Sequence, residues 1–209
     1  MNRRVAPVAG QSLVLAWMAA GAVVSARAAD VQVAVMDAAG KPLADAVVFL
    51  ESTEAQRQVQ PLAVQEMSQE KKQFVPGVLV LTRGTEVRFP NRDTVRHHVY
   101  SFSPAKKFEL KLYSGTPANP VLFDQPGVVV LGCNIHDHMV GWIVVLDTPY
   151  FAQTQAPGGV VQMGSVPAGS YRLRTWHPRL PVGAPALEQA LTVPASGAAA
   201  TVRMTGLLP

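Results

Sequence analysis

Residues 127–147 read GVVVLGCNIHDHMVGWIVVLD. Two apolar, β-branched runs, each long enough for one strand, flank seven residues that hold the only cysteine, two of the five histidines and one of the seven methionines. That is a strand, a short turn and a second strand, with Cys133 at the end of the first and His136 and Met139 in the turn. The spacing Cys-x2-His-x2-Met puts a thiolate, an imidazole and a thioether within one tight connection. The second run, GWIVVL, is apolar at both parities. A strand of that kind is covered on both faces, which predicts that Trp142 packs at a boundary with a second layer.

Working outward, short runs rich in Val, Ile, Leu, Tyr and Phe recur between Gly, Pro, Asn and Asp, and no long stretch shows helical periodicity. Examples are VQVAVMD, DAVVFLES, TEVRFPN, HHVYSFS, FELKLY, SYRLRTWH and AATVRM. The expected fold class is all-β. Two textures alternate along the chain. Residues 30–60 and 150–209 are rich in Ala, Val, Gly and Pro, whereas residues 66–148 hold the cysteine and four of the five histidines. The middle segment is therefore expected as a domain inserted in, or packed on, the outer one. TEAQRQVQPLAVQE, between them, reads as a short helix or a linker.

Residues 1–28 have the pattern of a secretory signal peptide: Arg3 and Arg4, the apolar run SLVLAWMAAGAVV, and Ala26-Arg27-Ala28 as a cleavage site. The run is too short to span a bilayer, so a periplasmic protein with no membrane span after cleavage is expected. Removing Arg3, Arg4 and Arg27 from the 18 basic residues leaves 15 against 14 acidic ones. A near-neutral chain lacks the clustered basic face that nucleic acid requires. One cysteine excludes an internal disulfide, and a lone thiol in an oxidising compartment has to be buried or ligated.

Two imidazoles, a thiolate and a weak axial thioether make a copper site of the blue type. The turn itself supplies one imidazole, so the other has to come from a neighbouring strand. TEVRFPNRDTVRHHVYSF offers His97 and His98 at the start of one. Successive strand residues point to opposite faces, so one of the two can face the metal and the other cannot. Taken alone, Cys133 is an inert small hydrophobe and Met139 core filler; their coincidence with the histidines is what points to a metal. Zinc would accept the Cys and His residues, yet has no use for Met139. His177, in TWHPRL, lies apart and reads as a surface or inter-domain residue.

The segment NRDTVRHHV resembles the first-histidine region of cupredoxins, and CNIHDHM resembles the short ligand loop of the amicyanins and plastocyanin-like type 1 blue-copper proteins. The resemblance covers residues 66–148 and extends to cupredoxin-like proteins of the methylamine-utilisation group. It implies a Greek-key β-sandwich and selects His97, Cys133, His136 and Met139 as ligands of one copper ion per chain. His98 stands where the family has Asn, and His138 is additional; both, with Asn134, are assigned as supporting or alternative ligands. The outer segments, with GKPLADAVV and VPAGSYRL, resemble carboxypeptidase-regulatory or CnaB-like β-sandwiches, split around the middle domain.

The function expected from this resemblance is electron carriage by Cu(II)/Cu(I) cycling, without enzymatic activity, for a redox partner such as a c-type cytochrome or an exported dehydrogenase. Copper delivery without redox turnover, or a purely structural binding module, are the alternatives. His136 is expected at the docking surface, with Pro90, Pro126 and Met139 on its rim and Arg92, Arg96, Lys106 and Lys107 as a basic border.

Overall fold

The structure, a computed structural model, describes residues 28–209, so all but the last residue of the expected leader lies outside the described residues. The fold is all-β apart from one short helix. Among the described residues no helix is long and apolar enough to cross a membrane.

The outer segments build two sheets. In the first, β1 (Ala28–Met36) lies between β14 (Val160–Pro167), antiparallel to it, and β17 (Ala198–Arg203), parallel to it. The second is antiparallel, in the order β13 (Phe151–Gln153), β2 (Val47–Glu51), β15 (Gly169–Trp176), β16 (Leu187–Val193). Val31, Val33 and Val35 alternate along β1 into one core with Leu50, Met163, Val166, Leu173, Val202 and Met204. In β2, residues 47–50 are all buried, as expected of a strand covered on both faces.

After β2 the chain forms the helix α1 (Thr53–Arg57), whose first turn is capped by the Ser52 side chain accepting the Ala55 amide at 3.1 Å. It then runs through β3 to β12 before returning at β13, which pairs with β2 through Phe151 and Phe49. The intervening stretch forms a five-stranded sheet, β6 (Val78–Thr82), β12 (Val140–Leu146), β11 (Gly127–Gly132), β8 (His97–Ser103), β9 (Lys106–Tyr113), parallel only between β6 and β12. Facing it are a smaller sheet, β10 (Val121–Phe123), β7 (Thr85–Arg88), β3 (Gln65–Glu66), and a hairpin of β4 (Ser68–Glu70) and β5 (Gln73–Val75). Met67, Phe74, Leu81, Phe89, Val99, Phe123, Val129, Leu131, Ile143 and Val145 fill the space between, and Cys133 and Met139 belong to this core.

β12 serves both cores. Its Ile143 and Val145 point into the middle core, while Val144 and Leu146 join the outer one and Trp142 packs half-buried against it. This is the physical meaning of the two-parity apolar run. Above this strand, Trp142, Trp176, Phe49 and Tyr100 line a cleft of about 810 Å³ between the layers.

Of the two places expected for His177, surface or inter-domain, the surface one does not hold: the residue is buried. Its Nε2–H donates to the Ala44 carbonyl at 3.0 Å and its Nδ1 accepts the Arg179 amide at 3.0 Å, so both ring nitrogens are used by a neutral imidazole. Burial holds its pKa below the usual 6.5, against the raising effect of the Ala44 bond. The folded state thus binds this proton less readily than the unfolded one, and the contribution is complete above pH 6.5 and lost as pH falls below it. Thermal unfolding followed between about pH 8 and about pH 5 should show falling stability, with a flatter dependence in His177→Ala. At neutral pH the same variant, leaving two backbone groups unpaired, should cost roughly 1–3 kcal/mol.

Candidate metal centre

The hairpin of β11 and β12 carries three of the four expected ligands at its tip. Cys133 directly follows β11, residues 134–138 form the turn, and Met139 precedes β12, its amide donating to the His136 carbonyl at 2.9 Å. That bond closes the turn so that Cys133 and Met139 both point inward, 3% and 1% exposed, while His136 stays at the half-exposed rim. The hairpin is clamped at Gly141, where a Cβ would lie 2.9 Å from the Phe74 Cβ; no side chain fits between β12 and β5 there.

β8 brings the remaining imidazole. It joins β11 through the pair Gly132 and Tyr100, and its register against β9 breaks between His97 and Val99. His97 is fully buried. Its Nδ1 lies 3.9 Å from Cys133 Sγ, and the Nδ1 of His136 is also 3.9 Å from that sulfur. The three donor atoms fall within 4.8 Å of one another. Nitrogen and sulfur ligands bound at about 2.0 and 2.3 Å in a trigonal plane are about 3.7 Å apart. The spacing is too wide for strong direct hydrogen bonds and fits one ion between the donors. The rings of His97 and His136 are 5.0 Å apart at their centroids, inclined by 60°, so neither stacks across the opening.

His136 is in a state to bind. Desolvation first, then the neighbouring His97, Lys72 and His138 charges, holds the His136 pKa below the ordinary imidazole value, with Asp93 opposing. His136 is therefore neutral near pH 7, its lone pair free. On the other side of Cys133, burial pushes the Tyr113 phenol well above its usual range; its hydroxyl lies 2.8 Å from Gln69 Oε1 and 2.7 Å from the Phe89 carbonyl and stays protonated.

Behind His97 stands Asp93, a residue of the NRDTVRHHV segment to which the sequence alone assigned no role. Asp93 Oδ2 lies 2.8 Å from His97 Nε2. The turn is knit by Asn91, whose Oδ1 accepts the Asp93 amide at 3.0 Å and whose Nδ2 donates to the carbonyls of Val95 and Tyr113 at 2.8 and 2.9 Å. The signal available was an Asp four residues before the ligand-type histidine; its direction could not be read without the turn.

The other candidates lie elsewhere. His98 points away from Cys133, its Nε2 2.9 Å from the Glu109 carboxylate but outside hydrogen-bond geometry, and its ring edge-on to Tyr100. It makes no hydrogen bond to Asn134, and the register break at His97 leaves it beside Glu109 of β9. Asn134 is exposed and has no side-chain hydrogen bond among the described residues. His138 is exposed, with its ring 6.1 Å from that of His136. Two features of the expected rim also change. Met139 and Pro90 are buried, and Arg92 is paired with Glu66 and Glu70 while Lys106 is 3.6 Å from Asp124, so neither charge is free as a border.

No family model and no curated protein matches the chain. Among solved structures it is similar to a copper-containing nitrite reductase from Thermus scotoductus SA-01 (27% identity, 42% of this chain and 23% of that chain, TM-score 0.37). It is also similar to a reduced amicyanin variant (19%, 47% and 98%, TM-score 0.35) and to a purple cupredoxin from Nitrosopumilus maritimus (22%, 41% and 100%, TM-score 0.35). The chain thus spans less than a quarter of the nitrite reductase's length.

The geometry separates the histidines. In metal titrations His136→Ala and Cys133→Ala should abolish tight binding, whereas His98→Ala and His138→Ala should bind as the wild type does. Loss of binding in either of the last two would mean that the three converging donors are not the site.

Proposed function

We propose that this protein is a mononuclear copper carrier of electrons, with His97, Cys133 and His136 as equatorial ligands and Met139 as the weak axial one. The observation that supports this most is the pair of equal 3.9 Å separations from the Cys133 sulfur to two imidazole Nδ1 atoms, inside a core that also buries Met139. A thiolate, two imidazoles and a thioether are a donor set that suits copper in both oxidation states. When bound, the ion supplies one-electron chemistry.

The chain's own part is to hold the donors, exclude water and give the electron a way out. Cys133 and Met139 sit on the ends of two paired strands, and His97 on a third, so their backbones cannot shift independently. The middle core keeps the sulfur dry. His136 alone reaches the surface, beside exposed Ile135 and Val140, and offers an edge at which a redox partner can dock. We assign an exported c-type cytochrome or dehydrogenase as that partner, and the periplasm as the location. Residues 66–148 are read as the metal-carrying unit, set into a carboxypeptidase-regulatory-like sandwich of residues 30–60 and 150–209, a division with which the sheet pairing agrees.

The protein loaded with Cu(II) should show intense thiolate-to-copper absorption in the visible range, take up one ion per chain and be reduced reversibly. Cys133→Ala should abolish the band. A loaded protein without the band, or one that keeps it in Cys133→Ala, contradicts this reading; binding without reversible reduction would leave a delivery role instead.

A further inference from the structure

The hairpin of β4 and β5 turns through Lys71 and Lys72, between the paired residues Glu70 and Gln73. Both lysines have left-handed backbones, with φ of 51° and 58°. Two-residue turns of this hand ordinarily use Asn-Gly or Gly, because a Cβ is strained there. The strands on either side are three residues each, too short to impose such a turn by pairing alone.

What holds it lies outside the hairpin. The Lys71 amide donates to Asp93 Oδ1 at 2.6 Å and the Lys72 amide to Asp93 Oδ2 at 2.9 Å. The same Oδ2 is the atom facing His97 Nε2. One carboxylate thereby joins the tip of a strained turn to the buried imidazole. The hairpin is fastened on both sides as well: the Gln69 amide donates to Pro90 O at 2.9 Å, the Arg92 amide to Gln69 O at 3.0 Å, and the Arg92 side chain pairs with Glu66 and Glu70.

We propose that Asp93 is the positioning residue of the metal centre, and that the Lys71–Lys72 turn exists to fix its carboxylate so that His97 presents a bare Nδ1 toward Cys133. An ionised carboxylate only accepts hydrogen bonds, so Nε2 carries the imidazole proton and Nδ1 keeps its lone pair. Because the carboxylate is tied to two backbone amides, it cannot rotate with the ring, and the ring takes its orientation from the hairpin. The lysines contribute their amides alone; their side chains are not required. The inference rests on the reading of His97 as a metal ligand.

Nitrogen NMR of the copper-free protein tests it without any metal chemistry. The wild type should show His97 as the Nε2–H tautomer, and Asp93→Asn, whose amide can present either a donor or an acceptor, should show a mixture, with copper affinity down by about 10–100-fold. A second variant separates positioning from folding. Adding Lys71→Asn and Lys72→Gly to Asp93→Asn supplies a turn that needs no outside support, so hydrogen exchange at the tip should slow again while tautomer and affinity stay impaired. An unchanged tautomer in Asp93→Asn, or affinity regained in the triple variant, would overturn the proposal, the second by showing that Asp93 only stabilises the turn. A wild type with the Asp93-dependent tautomer but no copper binding would defeat the copper reading and leave the positioning role standing.

Discussion

Three donor atoms, the Cys133 sulfur and the Nδ1 atoms of His97 and His136, converge at one point, and the rest of the structure depends on holding them there. A thiol and two imidazoles free to move would close the gap with hydrogen bonds among themselves or turn toward water. Here Cys133 and His97 are denied both courses, and His136 is held at the rim. Cys133 is anchored at a strand end and His97 is tethered from behind, and both are enclosed by apolar side chains; His136 is placed by a turn that its own carbonyl closes. The short polar contact of His97, to Asp93, lies outside the donor triangle, and inside it both Nδ1 atoms face the Cys133 sulfur at 3.9 Å, a spacing that could hold a metal ion.

Rigidity of this kind has to come from further away. The middle sheet owes part of its stiffness to β12, which has no solvent face over Ile143–Leu146. A strand packed in two cores at once cannot slide by one residue without moving Ile143 and Val145 out of one and Val144 and Leu146 out of the other. The register of β12 fixes Met139 at its start, and through β11 fixes Cys133. The outer sheets thus act on the metal centre without touching it, by making one of its supporting strands an interior strand.

Much of this was legible in the sequence. The two-parity run GWIVVL announced a strand buried on both faces, and Cys-x2-His-x2-Met between two strands announced where soft ligands gather. Alternation along a strand also said that His97 and His98 could not share one metal, and the structure turns them apart. What could not be read depends on contacts between distant segments. The β4–β5 hairpin has no turn signal, since Lys-Lys is a poor choice for a left-handed pair and its two amides are bound by Asp93, more than twenty residues later. The burial of His177, read as a surface or inter-domain residue, was not legible because its two partners, Ala44 O and Arg179 N, are backbone groups with no sequence signature. Two members of the expected basic border change for the same reason: charge counts do not reveal that Arg92 is already taken by Glu66 and Glu70, or that Lys106 lies beside Asp124.

In the proposed copper role, the arrangement bears on how an electron would pass with little cost. Copper in its two oxidation states prefers different geometries, and a site that relaxes toward each in turn spends energy on rearrangement. The donors here have almost nothing to relax with. His97 can neither rotate, because Asp93 holds its far nitrogen, nor retreat, because it is fully buried. Cys133 and Met139 are packed at 3% and 1% exposure among side chains that would have to move with them. Freedom is concentrated in His136, the one donor in contact with solvent, and in the exposed turn around it. In that proposed role, a site with its yielding part at the surface and its stiff part inside would favour exchange with a partner approaching from the His136 side, and makes the buried histidine the one whose environment sets the resting geometry.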